Sequence, residues 1–176
     1  MLEPLPCLPS KRIRPADHVV CASLSSEAPS FASRPGRSRG AKAAGLRFEA
    51  KAKAQLQEDF GDQWIPGPWF RYYNGGVDGN LQERWCQPDG LVIDADRGLL
   101  TIVEIKLGHV ADAWWQLYRL YLPVVQEVFG EDWTYHCCEY VRYFDVVVAF
   151  PVEVTIAATV TDRAPGGFNV VIKSEL

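Results

Sequence analysis

The sequence predicts one α/β domain organised around a mixed sheet, and three observations carry that expectation. Two short stretches, LVID (91–94) and LLTIVEI (99–105), are aliphatic on both faces, the pattern of strands buried inside a sheet. Two segments with helical periodicity, one from Gly45 and one from Val110, bracket them in the chain. A length of 176 residues with 48% hydrophobic side chains suits one domain with a full core and is short for two.

Taken in order, residues 1–40 read as a flexible basic tail. Six of the twelve prolines fall within residues 1–35, mixed with Ser, Arg and Gly, and no helix or strand period persists there. The folded domain is therefore expected over 41–176. On this reading, deleting residues 1–40 leaves stability unchanged, and any function of the tail is that of a DNA-gripping arm. From Gly45, GLRFEAKAKAQLQEDFG is rich in helix formers, places Phe48, Ala52, Leu56 and Phe60 at four-residue intervals, and stops at Gly61. WFRYY (69–73) follows as a strand and NGGVDGN (74–80) as a loop. ADRG (95–98) is turn chemistry between the two apolar stretches, making them a hairpin. A second helix spans 110–129, with Val110, Trp114, Leu117, Tyr121, Val124 and Val128 on one face, and Pro123 inside it predicts a kink or a break. FDVVVAF (144–150), VEVTIAATV (152–160) and FNVVIK (168–173) read as further strands.

Composition narrows the classes of function. No apolar run approaches the roughly 20 residues that span a bilayer, so no membrane partner is expected. The N-terminus lacks the basic-then-apolar order of a secretory signal, which sets a cytoplasmic expectation. Five cysteines, an odd number with Cys137 and Cys138 adjacent and no CxxC pair, suit reduced thiols rather than a disulfide framework or a cysteine-bound metal. His18, His109 and His136 are scattered, no Ser or Cys has the glycine frame of a nucleophile elbow, and no phosphate loop is present. The aromatic segments WFRYY and WWQLY are expected in the core rather than stacked on bases. Residues 1–42 carry seven basic groups against three acidic ones, a local +4 in a chain of net charge −4, so the rest carries −8. Contact with nucleic acid must then rest on local patches or on the tail.

The residues that carry chemistry lie on the hairpin. Two triplets of acid, any residue and Lys occur. Glu49-Ala50-Lys51 lies on the first helix, where positions i and i+2 point about 200° apart and do not converge. Glu104-Ile105-Lys106 ends a strand, where i and i+2 share a face. Asp89 stands on the other arm. A two-residue loop at Asp96-Arg97 puts Asp89 directly opposite Glu104, whereas a three-residue loop using Gly98 separates them. Two carboxylates side by side repel unless a cation joins them, and such oxygen-only pairs suit a hard divalent ion, magnesium first. With Lys106 to orient or deprotonate a water and neutralise developing charge, the set matches the demands of phosphodiester hydrolysis. An ordinary ion pair at a strand end, beside a Pro-Asp-Gly turn, is the alternative. Glu49 adds to the set from helix geometry: with Phe48 at 0°, it falls at about 100°, inside the apolar stripe. A carboxylate aimed there needs a partner, the metal or Lys106, with solvent or Lys53 as the alternative.

Pro88-Asp89, then Glu104-Ile105-Lys106 fifteen residues on, with Glu49 on a helix before and Gln116 on a helix after, resembles the PD-(D/E)XK nuclease superfamily over roughly residues 45–150. The resemblance implies a restriction-endonuclease-like αβββαβ core, with a mixed central sheet flanked by helices and extra C-terminal strands. It implies hydrolysis of DNA with magnesium, or manganese in its place. Asp89, Glu104, Lys106 and Gln116 would be the catalytic residues, and Asp89, Glu104, Ile105 and Glu49 would hold the metal. Gln116 is similar to the Gln of the RecB-type and lambda-exonuclease-like branch, where a Tyr stands four residues further on. Here that position is Leu120, with Tyr118 and Tyr121 beside it, and the four-cysteine iron–sulfur pattern of some branch members is absent. The competing expectation is a non-catalytic nucleic-acid-binding or assembly module that retains the fold, and an RNA-directed enzyme is a third. Endo- or exonucleolytic action and homo-oligomerisation are left open by the sequence.

Overall fold

The computed structural model describes residues 13–32, 39–76, 79–108, 110–143, 155–158 and 170–173. It is a mixed α/β structure with two sheets. β1 (Val19–Ser25), β3 (Trp69–Gly75) and β4 (Leu81–Cys86) form an antiparallel three-stranded sheet in the order β1-β3-β4. The larger sheet has six strands: β2 (Trp64–Pro66), β5 (Gly90–Asp94), β6 (Leu99–Gly108), β7 (Thr134–Tyr143), β9 (Val170–Lys173) and β8 (Thr155–Ala158), in that spatial order. Its β6–β7 pair is parallel and the others antiparallel, so the sheet is mixed.

Helix α1 (Gly40–Phe60) covers one face of the large sheet. Ala52 and Leu56 are buried there with Trp64, Val103, Ile105 and Tyr140, and Phe48 packs against them. Phe60, expected on the same stripe, is 41% exposed, because each four-residue step carries the stripe a further 40° around the helix from Ala52. Gly61 ends α1 with φ 53, a left-handed conformation that suits glycine, and its N–H reaches the Gln57 carbonyl. The opposite face of the sheet is covered by the second helical segment. Leu100 and Ile102 of β6 meet Leu117, Tyr121, Leu122 and Val124 there. The alternation along β6 is thus apolar on both sides, as its sequence predicts.

The second helical segment is not continuous. It runs as α2 (Ala111–Trp114), a π-helical stretch (Trp115–Tyr121) and α3 (Leu122–Phe129). Val110, expected on its buried face, lies before its first residue and is 43% exposed. Pro123 explains the break. It has no N–H to give the Arg119 carbonyl four residues back, and the Leu122 N–H reaches five residues back to Leu117. The Arg119 carbonyl instead accepts the Ala16 N–H at 2.6 Å, and the Arg119 guanidinium meets Asp17 Oδ1 at 2.6 Å and 3.0 Å.

That contact corrects the expectation of a flexible tail over residues 1–40. Ala16 is fully buried, β1 pairs along β3 from Val19↔Asn74 to Ser25↔Trp69, and α1 begins at Gly40. Composition misled because the segment's order comes from partners far away in the chain, not from its own periodicity. Residues 1–12 and 33–38 lie outside the described residues, as does the strand expected at 144–150. β2, β4 and β7 carry no clear period-2 pattern and were not expected from the sequence. WFRYY splits as a strand should, with Phe70 and Tyr72 buried and Trp69, Arg71 and Tyr73 half-buried on the other face. No helix among the described residues is long and apolar enough to cross a membrane.

Candidate functional site

Turn chemistry sets the geometry of the site. The β5–β6 ladder pairs Gly90↔Val103, Leu91↔Ile102, Val92↔Thr101, Ile93↔Leu100 and Asp94↔Leu99, the register of a two-residue loop at Asp96-Arg97. Gly98 closes that turn with φ 60, and its N–H points to the Ala95 carbonyl at 3.4 Å. Arg97 N–H is held by Asp94 Oδ1 at 3.2 Å. One step beyond the ladder, the same register sets Asp89 against Glu104. The backbone of Asp89 is fixed by Gly67, whose N–H donates to the Asp89 carbonyl at 2.9 Å. Gly90 is required at the next position. A Cβ there would lie 2.0 Å from the ring of Trp64, which seals the start of β5 against the core.

Asp89, Glu104 and Lys106 are brought together. Asp89 Oδ2 accepts the Ile105 N–H at 2.7 Å, tying the two arms of the hairpin beyond their last ladder bond. Glu104 is 4% exposed, and its Oε1 accepts from the Lys106 ammonium at 2.5 Å. Burial, and then the charge of Asp89, push the Glu104 carboxyl up to about 7, against the pull of Lys106. Burial also raises Asp89; the Ile105 N–H works against it and the charge of Glu49 with it. The Ile105 side chain points the other way, into the core under α1. Two carboxylates therefore crowd one desolvated corner, with one lysine on the same strand and face.

Glu49 joins this corner through Lys53. Lys53 Nζ lies 2.7 Å from Glu49 Oε1, one helical turn away, and 3.6 Å from Asp89 Oδ1. The partner of Glu49 is thus Lys53, the alternative that the i,i+4 spacing had offered. Burial works to lower the Lys53 pKa, but the hydrogen bond to Glu49 and the charges of Asp89 and Glu49 outweigh it, and the net shift is upward. Among the described residues, no three Asp, Glu, His or Cys side chains form a ready metal cage.

Gln116 is half-buried at the edge of its helix, and its Nε2 donates to Tyr121 Oη at 3.3 Å. In an α-helix, residues five apart point about 140° away from each other. The π-helical stretch returns i+5 over i, so this contact depends on the break before Pro123. Tyr121 is 5% exposed, and its hydroxyl is pushed upward by burial first and then by the charges of Glu104 and Asp89. It therefore belongs to the electrostatic neighbourhood of the site. Leu120, at the α-helical spacing from Gln116, packs against the apolar core instead.

Sequence reasoning missed three residues. Tyr121 stands beside the expected Tyr position in the sequence, but its pairing with Gln116 is concealed by the π-helical spacing. Lys53 appeared only as a partner for Glu49, with nothing to tie it to Asp89. Glu139 on β7 carried no signal: it lies in TYHCCEYVRY, yet it is 4% exposed and register-paired with Glu104 on the parallel strand. Paired residues on neighbouring strands share a face, so Glu139 stands beside the site. Its Oε1 accepts the Val110 N–H at 3.2 Å, which fixes the entry to the segment carrying Gln116 and Tyr121.

Comparison of the chain with protein-family models, with curated proteins and with solved structures returns no match.

Proposed function

We propose that the protein is a metal-dependent phosphodiesterase, and specifically a magnesium-dependent nuclease that hydrolyses DNA through Asp89, Glu104 and Lys106. The supporting observation is the hairpin corner itself: Asp89 tied to the Ile105 N–H, with a buried Glu104 beside it and Lys106 on the same face. Charged groups at the ends of strands this apolar are expensive unless they serve a site. The element order, α1, then β2, β5 and β6 of the large sheet with β3 and β4 of the small sheet inserted among them, then the second helical segment and β7, supports a reading as a PD-(D/E)XK-like nuclease. The approach of Gln116 and Tyr121 is in keeping with the RecB-type and lambda-exonuclease-like branch despite the extra residue between them.

The donor set fits magnesium, or manganese in its place. Asp89, Glu104 and Glu49 offer only oxygen, and the crowding that burial imposes on Asp89 and Glu104 is what a hard divalent cation relieves. Such an ion supplies a more acidic water and a counter-charge for the phosphoryl oxygen. Asp89, Glu104 and Glu49, with the main chain at Ile105, would hold it. Lys106, kept in place by Glu104, orients the attacking water and neutralises charge that develops on the phosphate. Gln116, steadied by the Tyr121 hydroxyl, would contact the substrate.

The test is to incubate purified protein with linear and circular DNA, in magnesium and in chelator. Cleavage should require magnesium, and Asp89→Ala, Glu104→Ala or Lys106→Ala should each lower it by about a thousandfold or more, without additivity. Full cleavage in chelator, or by all three variants, would overturn the assignment. DNA binding with no cleavage under any metal would favour a non-catalytic nucleic-acid module, to which the net charge of −4 lends some weight.

A further inference from the structure

Among the described residues, Lys53 is the one site cation that the hydrolytic scheme leaves without a task, and its position is informative. Asp89 has two carboxylate oxygens with different duties. Oδ2 is bound by the Ile105 N–H at 2.7 Å, which leaves Oδ1 as the oxygen to face a cation, and Lys53 Nζ stands 3.6 Å from it. The same ammonium is 2.7 Å from Glu49 Oε1. It therefore bridges the α1 carboxylate and the hairpin carboxylate that the proposed metal site would use together.

The two lysines of the corner are about equally exposed, 28% for Lys53 and 26% for Lys106, and differ in their partners. Lys106 shares a strand and a face with Glu104, so its ammonium stays near Glu104. Lys53 sits on α1, with its side chain 28% exposed, and four methylenes let its ammonium leave Asp89 without moving the helix. Counting Glu49, Asp89 and Glu104 against Lys53 and Lys106, the corner carries a single net negative charge. Two cations cannot share Asp89 Oδ1 and Glu49 Oε1 without strong repulsion at this separation.

We propose that Lys53 is a displaceable internal counter-ion, which holds Glu49 and Asp89 together before metal arrives and must be driven off them for a divalent cation to bind. Lys53 is on this account a positioning residue that sets the magnesium concentration at which the site fills. The assignment rests on the metal-site reading given above. Its mark is inverted: removing a positive charge from a site that already works should improve metal binding, whereas damage to packing would weaken it.

The experiment is calorimetric titration of the full chain with magnesium chloride alone, comparing wild type, Lys53→Met and Lys53→Arg. Met keeps the apolar stem and removes the charge; Arg keeps the charge. Magnesium should bind Lys53→Met about tenfold more tightly than wild type, and Lys53→Arg no more tightly than wild type. In chelator, Lys53→Met should melt below wild type, because Glu49 and Asp89 lose their shared partner, and saturating magnesium should erase that difference. If wild type binds magnesium and Lys53→Met binds it equally or more weakly, the counter-ion role is overturned and the metal site stands. If neither protein binds magnesium, both fall.

Discussion

The β5–β6 hairpin and the segment running from Ala16 into β1 reach the same core by opposite routes. The hairpin closes over a two-residue loop, is apolar on both faces apart from Thr101 and Asp94, and carries Asp89, Glu104 and Lys106 beyond the ladder. The N-terminal segment is half polar, leaves Val20 and Leu24 at 55% and 48% exposure, and is held by β3 and by the broken helix. Its anchor is a backbone carbonyl that Pro123 cannot use. A locally encoded element can thus position chemistry by itself, while a borrowed one depends on an irregularity more than 100 residues away in the chain. The irregularity does two jobs, since the break that frees Arg119 also brings Tyr121 to Gln116.

The contrast can be broken most forcefully by deletion. Removing residues 1–27 takes away Ala16 and β1 and bares the edge of β3, so thermal melting should fall by about 10 °C, corresponding to about 4 kcal/mol. An unchanged melting temperature would return the segment to the status of a tail. On the hairpin side, Gly90→Ala drives a methyl group into Trp64 and should cost about 2–3 kcal/mol, read as a lower urea midpoint. A neutral result would show that Trp64 can move aside. The third test uses pH in the presence of chelator. Glu104 is raised in the folded state to about 7, so its stabilising contribution is full below the ordinary glutamate range. That contribution is lost as pH rises toward 7, to the extent of about 1–3 kcal/mol. Glu104→Gln should flatten this slope and leave the protein more stable than wild type at pH 8. The smallest effect is expected for the Asp17–Arg119 pair, whose side chains are 40% and 43% exposed. A double-mutant cycle on it should give about 0.5 kcal/mol of coupling, and a value indistinguishable from zero would leave the Ala16 N–H as the working contact.

What was legible in the sequence follows the same division. LVID and LLTIVEI announce buried strands, and of the two loop lengths that ADRG allows, the two-residue one occurs, which gives the register that sets Asp89 against Glu104. Helix α1 was legible from its period, although its start lies at Gly40, ahead of the first strong apolar position. Glu139 and β7 were not, because Cys137, Cys138 and Glu139 show no alternation, and their burial is decided by β6 on one side. Nor was the Gln116–Tyr121 contact, since every rule of helical spacing assumes 3.6 residues per turn. Pro123 gave the place of the break and the carbonyl four residues back that it leaves free, but not that Ala16 would bind it.

The bond from Ala16 to Arg119 also bears on the order in which the chain can fold. A ribosome delivers Ala16 and β1 first, yet β3, their sheet partner, and Arg119, their anchor, are made much later. Until then the segment has nothing to dock on, and Phe70 and Tyr72, once made, stay covered only as well as an incomplete sheet allows. Closing this contact spans most of the described chain and carries a correspondingly large loop entropy. The hairpin, by contrast, can close as soon as residue 105 is released. Assembly is thus expected to begin around the hairpin and to finish at the N-terminus, the reverse of the order of synthesis.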